Sequence, residues 1–253
     1  MNSLRSIFLG PLKRGLARTG RIIIPLQQYG VDPFRDIQRL SSLWGLDIRV
    51  FLDIGANRGQ TTRAALEAFP CCRVIACEPD PTAFQILSDG YADNEKVELI
   101  DSALAAEAGD RVMYDYGDGS SINSLVPNAQ FTVRFNKRES KRLNVSCTTI
   151  DRLCSDRGIE KIDVLKIDTE GFDLEVLKGA TSMLSRRAVN FIYFEFNDIS
   201  DRDGASGGAL APVDHVLRQF GYRFIASYND YIVPTGELFL VANALYALPP
   251  AAE

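Results

Sequence analysis

The chain has 253 residues, of which 46% are hydrophobic and 24% charged, and its formal net charge is −5. These are ordinary values for a folded globular chain, and the acidic balance argues against a general nucleic-acid binder. The length fits one large domain, or one domain with an extension. Five cysteines (Cys71, Cys72, Cys77, Cys147, Cys154) form no C-x-x-C, and His215 is the single histidine, so no zinc site is expected. Cys77 falls in an apolar strand-like run, where cysteine packs as a small hydrophobe. The expected compartment is reducing and cytoplasmic.

Residues 1–31 differ from the rest. They carry Arg5, Lys13, Arg14, Arg18 and Arg21, with no acid before Asp32. Apolar stretches such as "SIFLG" and "RIIIPL" intervene, but no uncharged run is long enough to span a bilayer. No small-residue cleavage site follows them, so a signal peptide is not expected. Two readings stand: a basic segment on an anionic membrane surface, at the inner face of the membrane, or a helical extension packed on the core. The expected division is a basic extension over 1–35 and one domain over 36–253, with an insertion at 105–148.

From residue 49, strand-like and helix-like segments alternate. "RVFLDIG" reads as a strand and "QTTRAALEAF" as a helix. "RVIACEP" is a second strand, and "DPTAFQILSDGY" a helix with Asp80 as N-cap and Pro81 in its first turn. "KVELIDSAL" is a third strand. "KIDVLKID" is a fourth, followed by the helix "DLEVLKGATSMLS". "NFIYFEF" is a fifth strand, followed by the helix "APVDHVLRQFGY". "YRFIASY" and "ELFLVAN" close the pattern as two strands. Such alternation predicts an α/β doubly wound, mostly parallel sheet covered on both faces, with ligands at the carboxyl ends of its strands. Residues 105–148 break the alternation. They read as strands and loop laid over the site.

The stretch "FLDIGANRG" is a strand, a tight turn and a helix start. It is not the dinucleotide fingerprint, because Asn57 stands where a second glycine belongs. Gly55 permits the sharp turn and Gly59 the close approach of helix and strand. Asn57 tolerates a left-handed backbone better than other non-glycine residues. Charge then selects the cargo. Asp53 at the strand end repels a pyrophosphate but attracts the sulfonium and ammonium of S-adenosylmethionine, a difference of about 1 kcal/mol in water and several in a closed site. Glu78, about 20 residues beyond the turn, is placed to accept hydrogen bonds from ribose hydroxyls. Asp101, Ser102 and Ala103, at the end of the third strand, are candidates to flank adenine. The predicted cofactor-binding set is Asp53, Gly55, Asn57, Gly59, Glu78, Asp101, Ser102 and Ala103.

The segments "FLDIGANRGQTT", "ACEPDPTAFQIL", "GDGSSINSL", "TTIDRL", "IDVLKIDTEGFDLEVLKGA" and "IYFEFND", in this order over about residues 36–242, resemble the FkbM family of S-adenosylmethionine-dependent methyltransferases. "DIGANRG" together with "LKIDTEG" is the specific pair. The resemblance implies a Rossmann-like, seven-stranded class I methyltransferase fold with the last strand antiparallel. It also implies O-methylation of a hydroxyl on a sugar, a glycan or a natural-product scaffold.

"LKIDTEG" holds the densest chemistry. Lys166, Asp168 and Glu170 alternate, so on a strand they share a face, and three charges there are costly unless paired or employed. Asp168 and Glu170 are candidate catalytic carboxylates, with Lys166 as their counter-charge. Glu195 and Asn197, at the end of the fifth strand, alternate likewise. With Asp168 they would supply an oxygen-only set suited to magnesium. Methyl transfer needs aligned reactants and removal of a hydroxyl proton, by a carboxylate or through a metal-bound oxygen.

His215 lies on a helix remote from the strand ends and reads as a surface or packing residue. The run Arg134, Lys137, Arg138, Lys141 and Arg142 either attracts an acidic acceptor or solvates the insertion. Two other functions compete: an NAD(P)-dependent oxidoreductase and a non-enzymatic cofactor-binding scaffold. The acidic strand end and the missing glycine weigh against the first. The charged set at 166–170 weighs against the second.

Overall fold

A computed structural model of the chain describes residues 28–117, 120, 123–126, 140–197, 208–234 and 238–250. Helix α1 (Pro33–Trp44) begins where Asp32 accepts from the amides of Phe34 and Arg35 and Pro33 presets the first turn. It ends at Gly45, which takes a left-handed conformation. Strand β1 (Val50–Ile54), helix α2 (Gln60–Ala68), strand β2 (Arg73–Cys77), helix α3 (Pro81–Tyr91) and strand β3 (Val97–Ile100) follow. Asp80 caps α3 through the Ala83 amide, with Pro81 behind it, as its sequence predicts.

The run "KVELIDSAL" does not stay one strand. β3 stops at Ile100, and β4 (Ala103–Leu104) leaves the main sheet to pair with β6 (Lys141–Thr148), which also holds β5 (Gly109–Asp115). These three strands form a small second sheet, in the order β4-β6-β5. Thr149 then caps α4 (Ile150–Asp156). β7 (Ile162–Ile167) returns to the main sheet.

The helix expected from "DLEVLKGATSMLS" is broken into α5 (Asp173–Lys178) and α6 (Thr181–Ser185). The cause is local. Gly179 passes so close to the start of the insertion that a Cβ there would stand 2.1 Å from the carbonyl oxygen of Ala105. β8 (Val189–Phe196), α7 (Leu210–Gln219), β9 (Arg223–Pro234) and β10 (Leu238–Ala247) complete the chain.

The main sheet has the order β3-β2-β1-β7-β8-β10-β9. The β3, β2, β1, β7 and β8 pairings are parallel, and β10 runs antiparallel to both neighbours, β8 and β9. Strand order therefore reverses between β1 and β7, whose register sets Asp53 opposite Lys166. Side chains alternate between two cores. Leu52, Ile75 and Leu165 face α4 to α7, while Phe51, Val74 and Val164 face α1 to α3. A third cluster joins Ala103, Met113, Val145 and Cys147 of the small sheet to Phe172.

Helix α1 is tied down by a buried carboxylate. Oδ2 of Asp36 accepts from the hydroxyl of Tyr228 at 2.8 Å and from the amide of Gly30 at 2.7 Å. The membrane-surface and extension readings concern residues 1–31, of which 1–27 lie outside the described residues. No helix among the described residues is long and apolar enough to cross a membrane.

Candidate active site

A cavity of about 270 Å³ opens at the carboxyl ends of β1, β2 and β7, at the reversal of strand order where ligands of such sheets bind. Its floor is the glycine turn. Gly55, at φ 73, cannot carry a side chain, because a Cβ would lie 1.9 Å from the carbonyl oxygen of Asp168. Asn57 takes the left-handed conformation, with φ 49. Gly59 lets Tyr91 close on the start of α2, and the Tyr91 hydroxyl donates to the Gly59 carbonyl at 2.9 Å.

The amides of this turn are already engaged. Those of Gly55 and Ala56 both donate to the Cys77 carbonyl at 3.0 Å. That of Asn57 donates to Oε2 of Glu78 at 2.8 Å. The other oxygen of Glu78 accepts from the Asp80 amide, also at 2.8 Å. Burial raises the Glu78 carboxyl to about 7, and those two amides pull against the rise. Glu78 thus faces the cavity and also locks the turn to the end of β2.

Asp53 does not reach the cavity. Its carboxylate is 0% exposed; Oδ2 accepts from the Thr62 hydroxyl at 2.7 Å, and Oδ1 lies 3.3 Å from Nζ of Lys166. Oδ1 has no aligned hydrogen bond, so that contact is ionic rather than directional. Lys166 is 3% exposed and also lies 3.3 Å from Oδ2 of Asp168. It donates to the Gly55 carbonyl at 3.1 Å. Burial pulls the lysine down, but Asp168 and then Asp53 outweigh it and hold the ammonium above its ordinary range. Asp53, Lys166 and Asp168 therefore form one chain of charge beneath the turn, and only its outer end, Asp168, is partly open.

Strand β7 ends at Ile167, one residue before Asp168, so the predicted alternation does not extend to Glu170. Glu170 instead sits in a left-handed turn, with φ 52, ahead of Gly171. That turn still gathers the carboxylates. Oxygens of Asp168, Glu170 and Glu195 lie within 4.8 Å of one another. Glu170 is held well above the usual carboxylate range by burial first, then by Glu195, Asp168 and Asp173. Asp173, in the first turn of α5, is raised to about 7 by burial and by Asp168. Thr169 and the Gly171 backbone lie close enough to oppose that rise, yet neither Asp173 oxygen closes a full hydrogen bond. The backbone N–H of Asn197 donates to the Gly208 carbonyl at 2.9 Å, and its side chain lies against Gly208.

Of the predicted residues, Gly55, Asn57, Glu78, Ser102, Ala103, Lys166, Asp168 and Glu170 line the cavity. Gly59 shapes it from behind. Asp53 is sealed below it. Asp101 is exposed and outside its wall, and neither Glu195 nor Asn197 forms part of that wall. His215 is exposed on α7, beside Gln219. Lys141 and Arg142 lie on β6, while Arg134, Lys137 and Arg138 fall outside the described residues.

Several wall residues escape sequence reasoning. Thr62 steadies Asp53 from α2, and Gln60, Thr61, Met113, Asn123, Ser124, Leu125 and Phe172 line the cavity. The clue available for three of them, Asn123, Ser124 and Leu125, was the run "GDGSSINSL" inside an otherwise strand-like insertion.

A doubly wound sheet in this order, with an antiparallel strand inserted between the last two parallel ones and a site at the ends of β1 and β2, is the Rossmann-like class I methyltransferase fold. The methyltransferase FkbM domain matches residues 53–224, more than half of the chain. The chain belongs to the FkbM methyltransferase family. It is 27% identical over 157 residues to the 2-O-methyltransferase NoeI of Sinorhizobium fredii (strain NBRC 101917 / NGR234), covering 59% of this chain and 63% of NoeI. It is 27% identical over 152 residues to methyltransferase sdnD of Sordaria araneosa, covering 51% of this chain and 59% of sdnD. It is 26% identical over 216 residues to the 31-O-demethyl-FK506 methyltransferase FkbM of Streptomyces tacrolimicus, covering 76% and 80%. The chain thus spans roughly three fifths of the first two relatives.

Proposed function

We propose that the chain is an S-adenosylmethionine-dependent O-methyltransferase acting on a hydroxyl of a sugar, a glycan or a natural-product scaffold. One observation carries the donor assignment. The amides of Gly55, Ala56 and Asn57 are consumed by Cys77 and Glu78, so the turn offers no cradle for a pyrophosphate. Lys166, the only cationic side chain among the described residues of the wall, is shared between Asp53 and Asp168. With Asp168 beside Lys166, the wall holds no uncompensated positive charge among its described residues. Such a wall favours a cationic donor over NAD. The acceptor class follows from family membership and from the 2-O- and 31-O-specific names of two relatives.

In this reading Glu78 accepts from the ribose hydroxyls, and Ser102 and Ala103 flank the base. The bound donor supplies an activated methyl group on a good leaving group. The protein aligns the acceptor oxygen and takes its proton. Asp168 is the candidate base, because it is the part of the charge chain that opens to the cavity. Lys166 steadies it, and Glu170 crowds it. A divalent cation is the second reading, favoured by the meeting of Asp168, Glu170 and Glu195 oxygens, with Glu170 in the place that Asn197 was expected to fill. The mutual repulsion of these carboxylates is relieved equally well by protons, and the metal-free reading asks for fewer parts.

The donor assignment is tested by calorimetric titration of the full chain with S-adenosylhomocysteine and with NAD. Binding of the first alone supports it, and binding of NAD alone overturns it. Incubation with labelled donor and a cell extract, followed by identification of the labelled product, identifies the acceptor.

A further inference from the structure

We propose that Asn123 and Ser124 are positioning residues that tie the β2 wall of the cavity to the β7 wall and thereby fix Glu170 against the donor. The inference rests on the donor assignment above. It stands on a set of side-chain bonds made by two adjacent residues in opposite directions, as extended backbone allows.

Asn123 grips one wall. Its Nδ2 donates to Oδ2 of Asp80 at 2.8 Å, and its Oδ1 accepts from the amide of Tyr116 at 2.8 Å. Asp80 is no loose partner. It caps α3 through the Ala83 amide at 2.7 Å, and its own amide is held by Glu78. A shift of Asn123 is therefore felt at the carboxylate placed for the ribose.

Ser124 grips the other wall. It is 3% exposed, and its Oγ lies 3.1 Å from the Thr169 carbonyl and 3.0 Å from that of Glu170, so one hydroxyl proton serves both. The same oxygen accepts from the Val126 amide at 3.1 Å. Backbone bonds between Ser124 and Tyr114 fix the strap to β5. The two carbonyls that Ser124 holds belong to the peptides on either side of Cα of Glu170, whose φ of 52 is one that a long side chain seldom adopts. Without the hydroxyl, those peptides lose their restraint. The Glu170 carboxylate is then no longer fixed beside Asp168 and Glu195. Asn123, Ser124, Asp168 and Glu170 all line the cavity, so the strap spans the space where the donor lies.

The test uses S-adenosylhomocysteine as probe on the full chain, with calorimetry for affinity and stopped-flow for dissociation. Ser124→Ala and Asn123→Ala should each weaken binding about five- to tenfold, mainly through faster dissociation. The effect of Ser124→Ala should shrink in a Glu170→Gly background, because glycine takes the left-handed turn without restraint. Variants with a lowered melting temperature but affinity and dissociation rate within twofold of the natural protein would reduce the strap to a structural tie and overturn the inference. If Ser124→Ala does not fold, Asn123→Asp decides: it keeps the volume but sets a charge against Asp80. A natural protein that does not bind the probe at all is a different result, and defeats the donor assignment instead.

Discussion

Nζ of Lys166 lies 3.3 Å from Oδ1 of Asp53, with both side chains closed off from solvent at the centre of the sheet. The pair bridges β1 and β7 where strand order reverses. It carries structural weight, because without Lys166 the Asp53 carboxylate would be buried with no counter-charge, while Lys166 also has Asp168 beside it. Lys166→Met should destabilise the chain by about 3–5 kcal/mol. Asp168→Asn should cost less, since Asp168 is partly open to water. Urea unfolding of the two variants checks the order, and equal losses would contradict it.

The raised carboxyls make stability depend on pH in a defined direction. Glu78 and Asp173 are each lifted to about 7 in the folded chain. The folded state therefore holds their protons where the unfolded state has released them. Their contribution is fully present below the unfolded values, near 4, and is lost as pH rises toward 7. Glu78→Gln and Asp173→Asn should each flatten the fall in stability between about pH 4 and 7. Thermal melts across that window check this. A variant whose pH profile parallels the natural one would show that the group stays ionised.

The glycine turn tolerates no added atom at Gly55 and has no need of the side chain at Asn57. Gly55→Ala would press a methyl into the Asp168 carbonyl, at about 1–3 kcal/mol for overpacking and about 1–2 kcal/mol for the left-handed backbone. Asn57→Gly should leave stability unchanged or slightly improved, because φ 49 suits glycine. Chemical denaturation of both variants tests the contrast, and a fully stable Gly55→Ala protein would mean that the turn is not packed this way.

The base and the metal separate by experiment. If Asp168 takes the hydroxyl proton alone, Asp168→Asn should abolish turnover with labelled donor while affinity for S-adenosylhomocysteine changes little, and chelator should have no effect. If a cation does this work, chelator should stop turnover, magnesium should restore it, and Glu195→Gln should raise the magnesium needed. Asp168→Asn turning over at the natural rate would move the chemistry to Glu170.

The sheet was legible in the sequence because its strands are buried on both faces and read as apolar runs broken by turn residues, as "RVFLDIG" and "RVIACEP" do. The glycine turn was legible from Gly55, Asn57 and Gly59. What sequence could not supply was the depth of each charge. Asp53 reads as a strand-end acid facing a ligand, but Thr62 and Lys166 reach it from elements 9 and 113 residues away along the chain and seal it in. Glu170 looked like the next residue on a strand face, yet β7 stops before it. Asn123 and Ser124 were hidden because their partners, Asp80 and Thr169, are distant in sequence and no periodicity marks such contacts. The need for glycine at the break between α5 and α6 likewise comes from Ala105, far from Gly179 in the chain.

The placement of β10 has a consequence for biosynthesis. Residues 238–247 enter between β8 and β9, both of which leave the ribosome earlier. β9 pairs in the sheet only with β10, so until they emerge β9 has no place in the sheet and β8 has no partner on that side. The nascent chain must therefore hold back from pairing β8 with β9, or with a neighbouring nascent chain, for as long as the last strand takes to appear. That one late segment joins β9 to the rest of the sheet, and a stalled or prematurely released chain lacking it would leave β8 as an open edge.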